Sequence, residues 1–286
     1  MPSIRTKQKA LRRGAYLLPS FFTMANIFCG YLALTEVFEA GQLISHNLAA
    51  AAGHFDIAAK AIGFAVLFDG LDGRVARLMG SSSSFGQELD SIADAITFGI
   101  APAFLALTWG VQAALPSLEY PLFAHMAATG WLVSFLFVIC SVARLARFNI
   151  QSSPTAPHPA HPDHRYFVGL PTPAAAGLVA AVVHATSGNP MQDWLWTPFW
   201  FLVLIATSLL MISTWRYHSF KEFDLRRRRK FVVVVFLGTV VGLIWFYSQV
   251  FLLLLAMSYV FSGIVLKMSH AVHRSRIEAR AEERRV

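Results

Sequence analysis

Four aspartates, Asp69, Asp72, Asp90 and Asp94, fall within 26 residues of an otherwise strongly apolar chain, in the stretch FDGLDGRVARLMGSSSSFGQELDSIADA. An Asp at the centre of a membrane helix costs roughly 2.5–3.5 kcal/mol, so four facing lipid would cost on the order of 10 kcal/mol. They are therefore expected to face a cavity and something positive. Asp69, Asp72, Gly73 and Ala76 are spaced at three and four and share one helical face, and Gly86, Asp90 and Asp94 share another. The polar Ser81–Ser84 turn between them makes the two helices antiparallel neighbours and gathers the carboxylates near the turn. Clustered carboxylates repel one another. A pair of divalent cations relieves that repulsion, and hard, oxygen-only ligands suit Mg²⁺ or Mn²⁺. Gly73 and Gly86 leave room for a bulky ligand, and Arg77, one turn past Gly73, offers a planar fork to a phosphate. The set suits a substrate carrying a pyrophosphate, whose departing phosphate oxygen two metals would stabilise. The competing reading, a structural polar network without chemistry, is disfavoured by the penalty for intramembrane charge.

The elements that must position these residues are membrane helices. The chain has 286 residues, 56% hydrophobic and 14% charged, with a mean hydropathy of +0.52; soluble domains carry about 25% charged residues. These figures favour a single all-α, polytopic transmembrane bundle over two soluble domains. The net charge of +8 resides in basic residues beside apolar stretches, which points to an anionic membrane surface rather than nucleic acid. Apolar segments of the required length fall at about 17–38, 55–79, 88–114, 122–147, 168–187, 195–214, 231–247 and 249–268, so about eight spans are expected. The last two are joined tightly around Tyr247-Ser248-Gln249.

Lys and Arg concentrate in the N-terminal arm, the Arg74–Ser84 region, the Arg144–Arg165 loop, the Arg216–Lys230 loop and the tail after Lys267. The intervening loops carry essentially none, so the positive-inside bias alternates with both termini and the aspartates on the cytoplasmic side. In a bacterium this places the protein in the inner membrane with its site facing the cytoplasm. The expected division is a basic arm (1–16), a membrane core (17–214), a basic loop (215–230), a C-terminal helix pair (231–268) and a charged tail (269–286).

Other features carry less chemistry. Cys29 and Cys140 lie in apolar segments without metal or redox spacing and read as small buried hydrophobes. The basic start resembles a signal peptide, but its apolar run is too long, so a retained first helix is expected. His158, His161 and His164 are separated by prolines that disfavour a metal-binding helix. The Arg226–Lys230 run (RRRRK) reads as a topological anchor, with binding of anionic headgroups as the sharper alternative. The sequence contains no P-loop, GxGxxG or HExxH motif and no detectable internal repeat.

The pattern Asp69-x2-Asp72-Gly73-x2-Ala76-Arg77-x8-Gly86-x3-Asp90-x3-Asp94 resembles, without a mismatch, the signature of the CDP-alcohol phosphatidyltransferases. The resemblance implies a core of six membrane helices, here with two extra C-terminal ones, and usually a homodimer. It implies transfer of a phosphatidyl or similar group from a CDP-linked donor to an alcohol, with release of CMP. It further implies that Asp69, Asp72 and Asp90 bind two divalent cations, that Asp94 lies close to them and acts as general base, and that Gly73, Ala76, Arg77 and Gly86 line the CDP site. The opening Leu18-Pro19-Ser20-Phe21-Phe22-Thr23-Met24-Ala25-Asn26 is similar to the family's first helix, with Ser20 where Asn is usual, and makes Thr23 and Asn26 expected cytidine neighbours.

For the acceptor, Arg144-Leu145-Ala146-Arg147-Phe148-Asn149 and Phe167-Val168-Gly169-Leu170-Pro171-Thr172-Pro173-Ala174-Ala175 resemble segments of a serine-accepting branch of the family. That resemblance implies CDP-diacylglycerol and L-serine as substrates. Arg144 and Arg147, three apart at a cytoplasmic helix end, can hold a carboxylate, with Asn149 adding a neutral hydrogen bond. They can equally be positive-inside anchors. Two arginines would also suit glycerol 3-phosphate, and an inositol derivative or choline are further alternatives for the same chemistry. A cation-coupled transporter is the rival from another class, disfavoured by the position of the carboxylates at a helix end and the absence of a repeat.

Overall fold

The structure, a computed structural model, describes residues 4–79, 84–115, 121–152, 166–218 and 230–283. Backbone N–H and C=O groups in hydrocarbon must pair within their own segment, so the apolar stretches become helices. These are α1 (Ile4–Leu43), α2 (Leu48–Met79), α3 (Ser84–Asp94), α4 (Ala101–Leu107), α5 (Leu122–Ser152), α6 (Thr172–Ala185), α7 (Thr197–Ile212) and α8 (Lys230–Glu283). Among the described residues, six helical stretches are long and apolar enough to cross a membrane: Phe21–Leu43, Leu48–Asp72, Phe85–Gln112, Leu122–Gln151, Trp194–Ile212 and Gly238–Gly263.

One expectation changes. The apolar segment at 168–187 yields only the 14-residue α6, because the chain before it is extended. Strand β1 (Tyr166–Val168) pairs antiparallel with β2 (Arg216–His218), with Phe167 opposite Tyr217, and the Gly169 N–H continues the contact to the Trp215 carbonyl at 2.8 Å. The all-α architecture thus carries one two-stranded ribbon that ties the start of α6 to the end of α7. The segments at 231–247 and 249–268 are two helical pieces, taken together as α8, that meet at a kink where the backbone leaves helical geometry at Tyr247 (φ −134°, ψ 35°). That is the junction residue expected from the sequence.

Without a hydrophobic driving force between helices in lipid, close packing relies on small residues. Ala51, Ala52, Ala58, Ala59, Ala61 and Ala65 of α2 are all buried, as are Ala33 and Ala40 of α1, and these two helices pack along most of their length. Helix α1 also packs against α3 and the residues that follow it. There Gly30 is required, since a Cβ would collide with Thr97.

Between α3 and α4 the chain is π-helical over Ala95–Ile100, and the Ala101 N–H donates to the carbonyl of Ile96, five residues back. Pro102 stands at the start of α4. It has no N–H to donate and its ring opposes the carbonyl four residues earlier, which accounts for the shifted register. A second π-helical stretch, Thr108–Gln112, ends this span. Trp200 of α7 locks onto it, donating its indole N–H to the Ala106 carbonyl at 3.0 Å and meeting Trp109 edge-on at 5.3 Å.

A polar network holds α8 at its break. The His184 Nε2 lies 2.9 Å from Ser248 Oγ and its Nδ1 lies 2.5 Å from Asp56 Oδ1. The Lys60 ammonium takes the other Asp56 oxygen at 2.7 Å, and Gln249 donates to Ser187 Oγ at 2.7 Å. Asp56 stands thirteen residues before Asp69 on α2, so this network lies roughly 20 Å along the helix from the aspartate site.

Candidate active site

Three helices build the site. Carboxylate oxygens of Asp69 on α2 and of Asp90 and Asp94 on α3 all lie within 4.8 Å of one another. Asp94 is the last residue of α3, directly before the π-helical stretch, and is buried. Such register shifts recur at functional sites because they re-aim side chains without ending the helix. Asp72, also buried, lies one turn beyond Asp69.

Helix α1 holds the carboxylates in place. The Thr23 hydroxyl donates to Asp72 Oδ2 at 2.5 Å, and the Asn26 amide donates to Asp94 Oδ1 at 3.0 Å. The Asn26 carbonyl accepts from the Thr97 hydroxyl at 3.1 Å, which fastens α1 to the π-helical stretch where Gly30 permits the approach. Thr23 and Asn26, expected beside cytidine, are thus hydrogen-bonded to the aspartates themselves. The sequence carries no signal for this, since the partners are 49 and 68 residues apart.

The arrangement suits hard cations. Three oxygen donors converge, and Asp90 Oδ1 is buried with no hydrogen-bond partner among the described residues. An anionic oxygen so placed is costly unless a cation completes it. Gly86 is half-buried on α3. Gly73, Ala76 and Arg77 fall on the last turns of α2, where side chains lie outside those described, as do Ser81–Ser83, the histidine loop and Arg226–Arg229.

The three acceptor candidates separate. Arg144 on α5 is 8% exposed. Its Nη1 donates to the Thr172 hydroxyl at 3.1 Å, its Nε is buried without a partner among the described residues, and it lies within electrostatic reach of Asp94 and Asp69. Arg147, one turn on, donates to the Ile212 carbonyl at 3.2 Å and so caps the end of α7. Asn149 is exposed and donates to Ser91 Oγ at 2.7 Å, linking α5 to α3 beside Asp90. Thr172 enters the site unanticipated as a residue, although it lies in the Phe167–Ala175 block that pointed to the acceptor.

Comparison with known proteins identifies the family. The family model "CDP-alcohol phosphatidyltransferase" matches residues 16–196, and the chain belongs to that family. It is 35% identical over 231 residues to the CDP-diacylglycerol–serine O-phosphatidyltransferase of Helicobacter pylori, covering 79% of this chain and 81% of that protein. It is 37% identical over 211 residues to the enzyme of the same name from Mycobacterium tuberculosis, covering 71% and 62%. It is 30% identical over 210 residues to that of Bacillus subtilis, covering 72% and 92%.

Proposed function

We propose that the protein is a phosphatidylserine synthase that transfers the phosphatidyl group of CDP-diacylglycerol to the hydroxyl of L-serine and releases CMP. The observation that carries the reading is the buried Arg144, whose Nε has no partner among the described residues, within electrostatic reach of Asp94 and Asp69, two of the three converging carboxylates. An anion-holding group stands beside a cation-holding one, which is what a zwitterionic acceptor and a diphosphate donor require. The names borne by relatives support serine over glycerol 3-phosphate, inositol derivatives or choline.

Asp69, Asp90 and Asp94, with Asp72 beside them, would hold two divalent cations, Mg²⁺ or Mn²⁺. When bound, these neutralise the diphosphate and stabilise the leaving oxygen. Arg144 holds the serine carboxylate and sets the hydroxyl toward the phosphorus. Asp94, oriented by Asn26, accepts the hydroxyl proton as the new P–O bond forms. The bond to the CMP oxygen breaks, and CMP departs with that electron pair. Gly73, Ala76, Arg77 and Gly86 line the CDP site. An apolar groove of about 500 Å³ beside α1 and α2, lined by Phe28, Leu32, Ile57, Phe64 and Phe68, suits an acyl chain of the donor.

The same reading places both termini and the site on the cytoplasmic side, of the inner membrane in a bacterium, in a homodimer. The break at Tyr247 divides α8 into two spans, which together with the shorter apolar helix α6 bring the count to eight.

Purified protein incubated with CDP-diacylglycerol, Mn²⁺ or Mg²⁺ and separate acceptors (serine, glycerol 3-phosphate, inositol, choline) tests this reading. Phosphatidylserine from serine alone is expected. A lipid product from another acceptor only would overturn the serine assignment.

A further inference from the structure

A second set of interacting polar side chains lies away from the aspartate cluster, where α2, α6 and α8 meet. Asp56, His184 and Ser248 each come from a different helix. The His184 ring stands between the other two, its Nδ1 2.5 Å from Asp56 Oδ1 and its Nε2 2.9 Å from Ser248 Oγ. A carboxylate only accepts, so Nδ1 carries the ring proton and donates it to Asp56. Nε2 then has the free lone pair and accepts from the Ser248 hydroxyl. The Lys60 ammonium, 2.7 Å from the other oxygen of Asp56, offsets the carboxylate's charge.

The surroundings fix this order. Helix α6 ends in a tight turn in which the Gly188 N–H returns to the Val183 carbonyl and Ser187 takes a left-handed backbone (φ 54°). A residue other than glycine keeps that conformation where its neighbours over-determine it. Here Gln249 Nε2 donates to the Ser187 hydroxyl at 2.7 Å, and Gly188 closes onto the Ala52 carbonyl of α2, where a Cβ would collide. His184 is 7% exposed. Ser248 follows directly on the break at Tyr247 and is half-buried, between the exposed Tyr247 and Gln249. The imidazole is sheltered while the hydroxyl can be reached. Trp245, Phe246 and Val250 beside it are also exposed, so the surface around Ser248 favours an amphiphile. A carboxylate, an ammonium and an imidazole within apolar helices are expensive, and such groups mark functional sites.

We infer that Ser248, His184 and Asp56 form a second catalytic centre, a serine nucleophile with its base, that hydrolyses the carboxylic ester of a membrane amphiphile. His184 Nε2 takes the Ser248 proton as Oγ bonds to the ester carbonyl carbon, and Asp56 holds the ring in the tautomer this requires. The ester C–O bond breaks, the alcohol leaves with the proton from Nε2, and the acyl group stays on Ser248. Water then gives a proton to Nε2 and attacks the acyl carbon. The bond to Oγ breaks, Oγ recovers the proton, and a carboxylic acid departs. Ser248 and His184 are the catalytic residues, and Asp56 is a positioning residue. Ser248 lies beyond the family match at 16–196, so this centre draws on the C-terminal helix. Ester cleavage here is independent of which acceptor is used at the aspartate site.

The test treats the full chain, purified in detergent, with a fluorophosphonate, which bonds stably to an activated serine, and assays it with p-nitrophenyl esters of fatty acids. Labelling at Ser248, located by peptide mass, and ester turnover are both expected. Ser248→Ala is expected to abolish both and to leave CMP release from CDP-diacylglycerol near wild type. Asp56→Asn and His184→Gln are expected to lower the ester kcat by about 10³–10⁴-fold, Asp56→Asn with the ester KM near wild type. Ser248→Cys keeps the size of the side chain and a nucleophile; it is expected to lose fluorophosphonate labelling and to gain iodoacetamide labelling that again depends on His184. Wild-type protein unlabelled at Ser248 overturns the inference, a result read without any variant having to fold. So does labelling undiminished by His184→Gln, or ester turnover that survives Ser248→Ala, because the three groups would then only tie the helices together.

Discussion

Each aspartate at the site is defined by what holds it. Asp94 is fixed by Asn26 and Asp72 by Thr23, while one oxygen of Asp90 has no partner among the described residues. Asp94→Asn, which removes the proton acceptor with little change of shape, is expected to lower kcat by about 10²–10⁴-fold. The measurement is CMP release at saturating substrates, and a retained wild-type rate would exclude Asp94 as the base. Asn26→Ala and Thr23→Ala remove partners of the carboxylates rather than the carboxylates themselves, and each is expected to cost roughly 10–100-fold in activity or in metal affinity. Partial rescue by excess Mn²⁺ would identify the loss as one of affinity. The two arginines separate by their partners. Arg144→Ala is expected to raise the serine KM by roughly 10–100-fold, the worth of a hydrogen bond to a charged group. Arg147→Ala removes a cap on α7 and is expected to raise it much less; equal effects would assign both to the acceptor.

Helices α1, α2 and α3 deliver the site, and α8 packs on α6 and β2. The His184 network joins α2, α6 and α8 through Asp56 and Ser248. His184→Ala leaves these groups without their common partner and is expected to destabilise the fold by about 1–3 kcal/mol, measured as a lowered thermal midpoint in detergent. An unchanged midpoint would mean that α8 is held by its apolar contacts alone. The helices and the aspartate pairing were legible in the sequence, because apolar length and a three-and-four spacing report directly on membrane spans and helix faces. The break in α8 was legible too, since Tyr247-Ser248-Gln249 is the polar interruption between two apolar runs. The short α6 was not. Its start is set by a β-pairing between Phe167 and Tyr217, 50 residues apart in sequence, which no local pattern announces. The role of Thr23 and Asn26 was concealed for the same reason. The π-helical register after Asp94 left only Pro102 as its trace.

At the scale of the whole molecule, the account requires one orientation in the membrane: the carboxylates and arginines at one face, and the Asp56–His184–Ser248 network toward the other. Single cysteines introduced at the exposed Gln87 and Gln192, in a background lacking Cys29 and Cys140, test it with a membrane-impermeant maleimide. Gln87→Cys is expected to label only in inverted membrane vesicles and Gln192→Cys only in intact cells stripped of their outer layers; the reverse pattern would invert the topology. The central claim joins the orientation to the chemistry: the aspartate cluster uses divalent cations to move a phosphatidyl group onto serine. Its most direct test is the stoichiometry of CMP and phosphatidylserine formed by purified protein, before chelation, after chelation, and after Mg²⁺ or Mn²⁺ is restored. The account predicts equal amounts of the two products, abolished by chelation and recovered on readdition. Turnover that survives complete chelation, or CMP formed from CDP-diacylglycerol without a matching serine lipid, would contradict it.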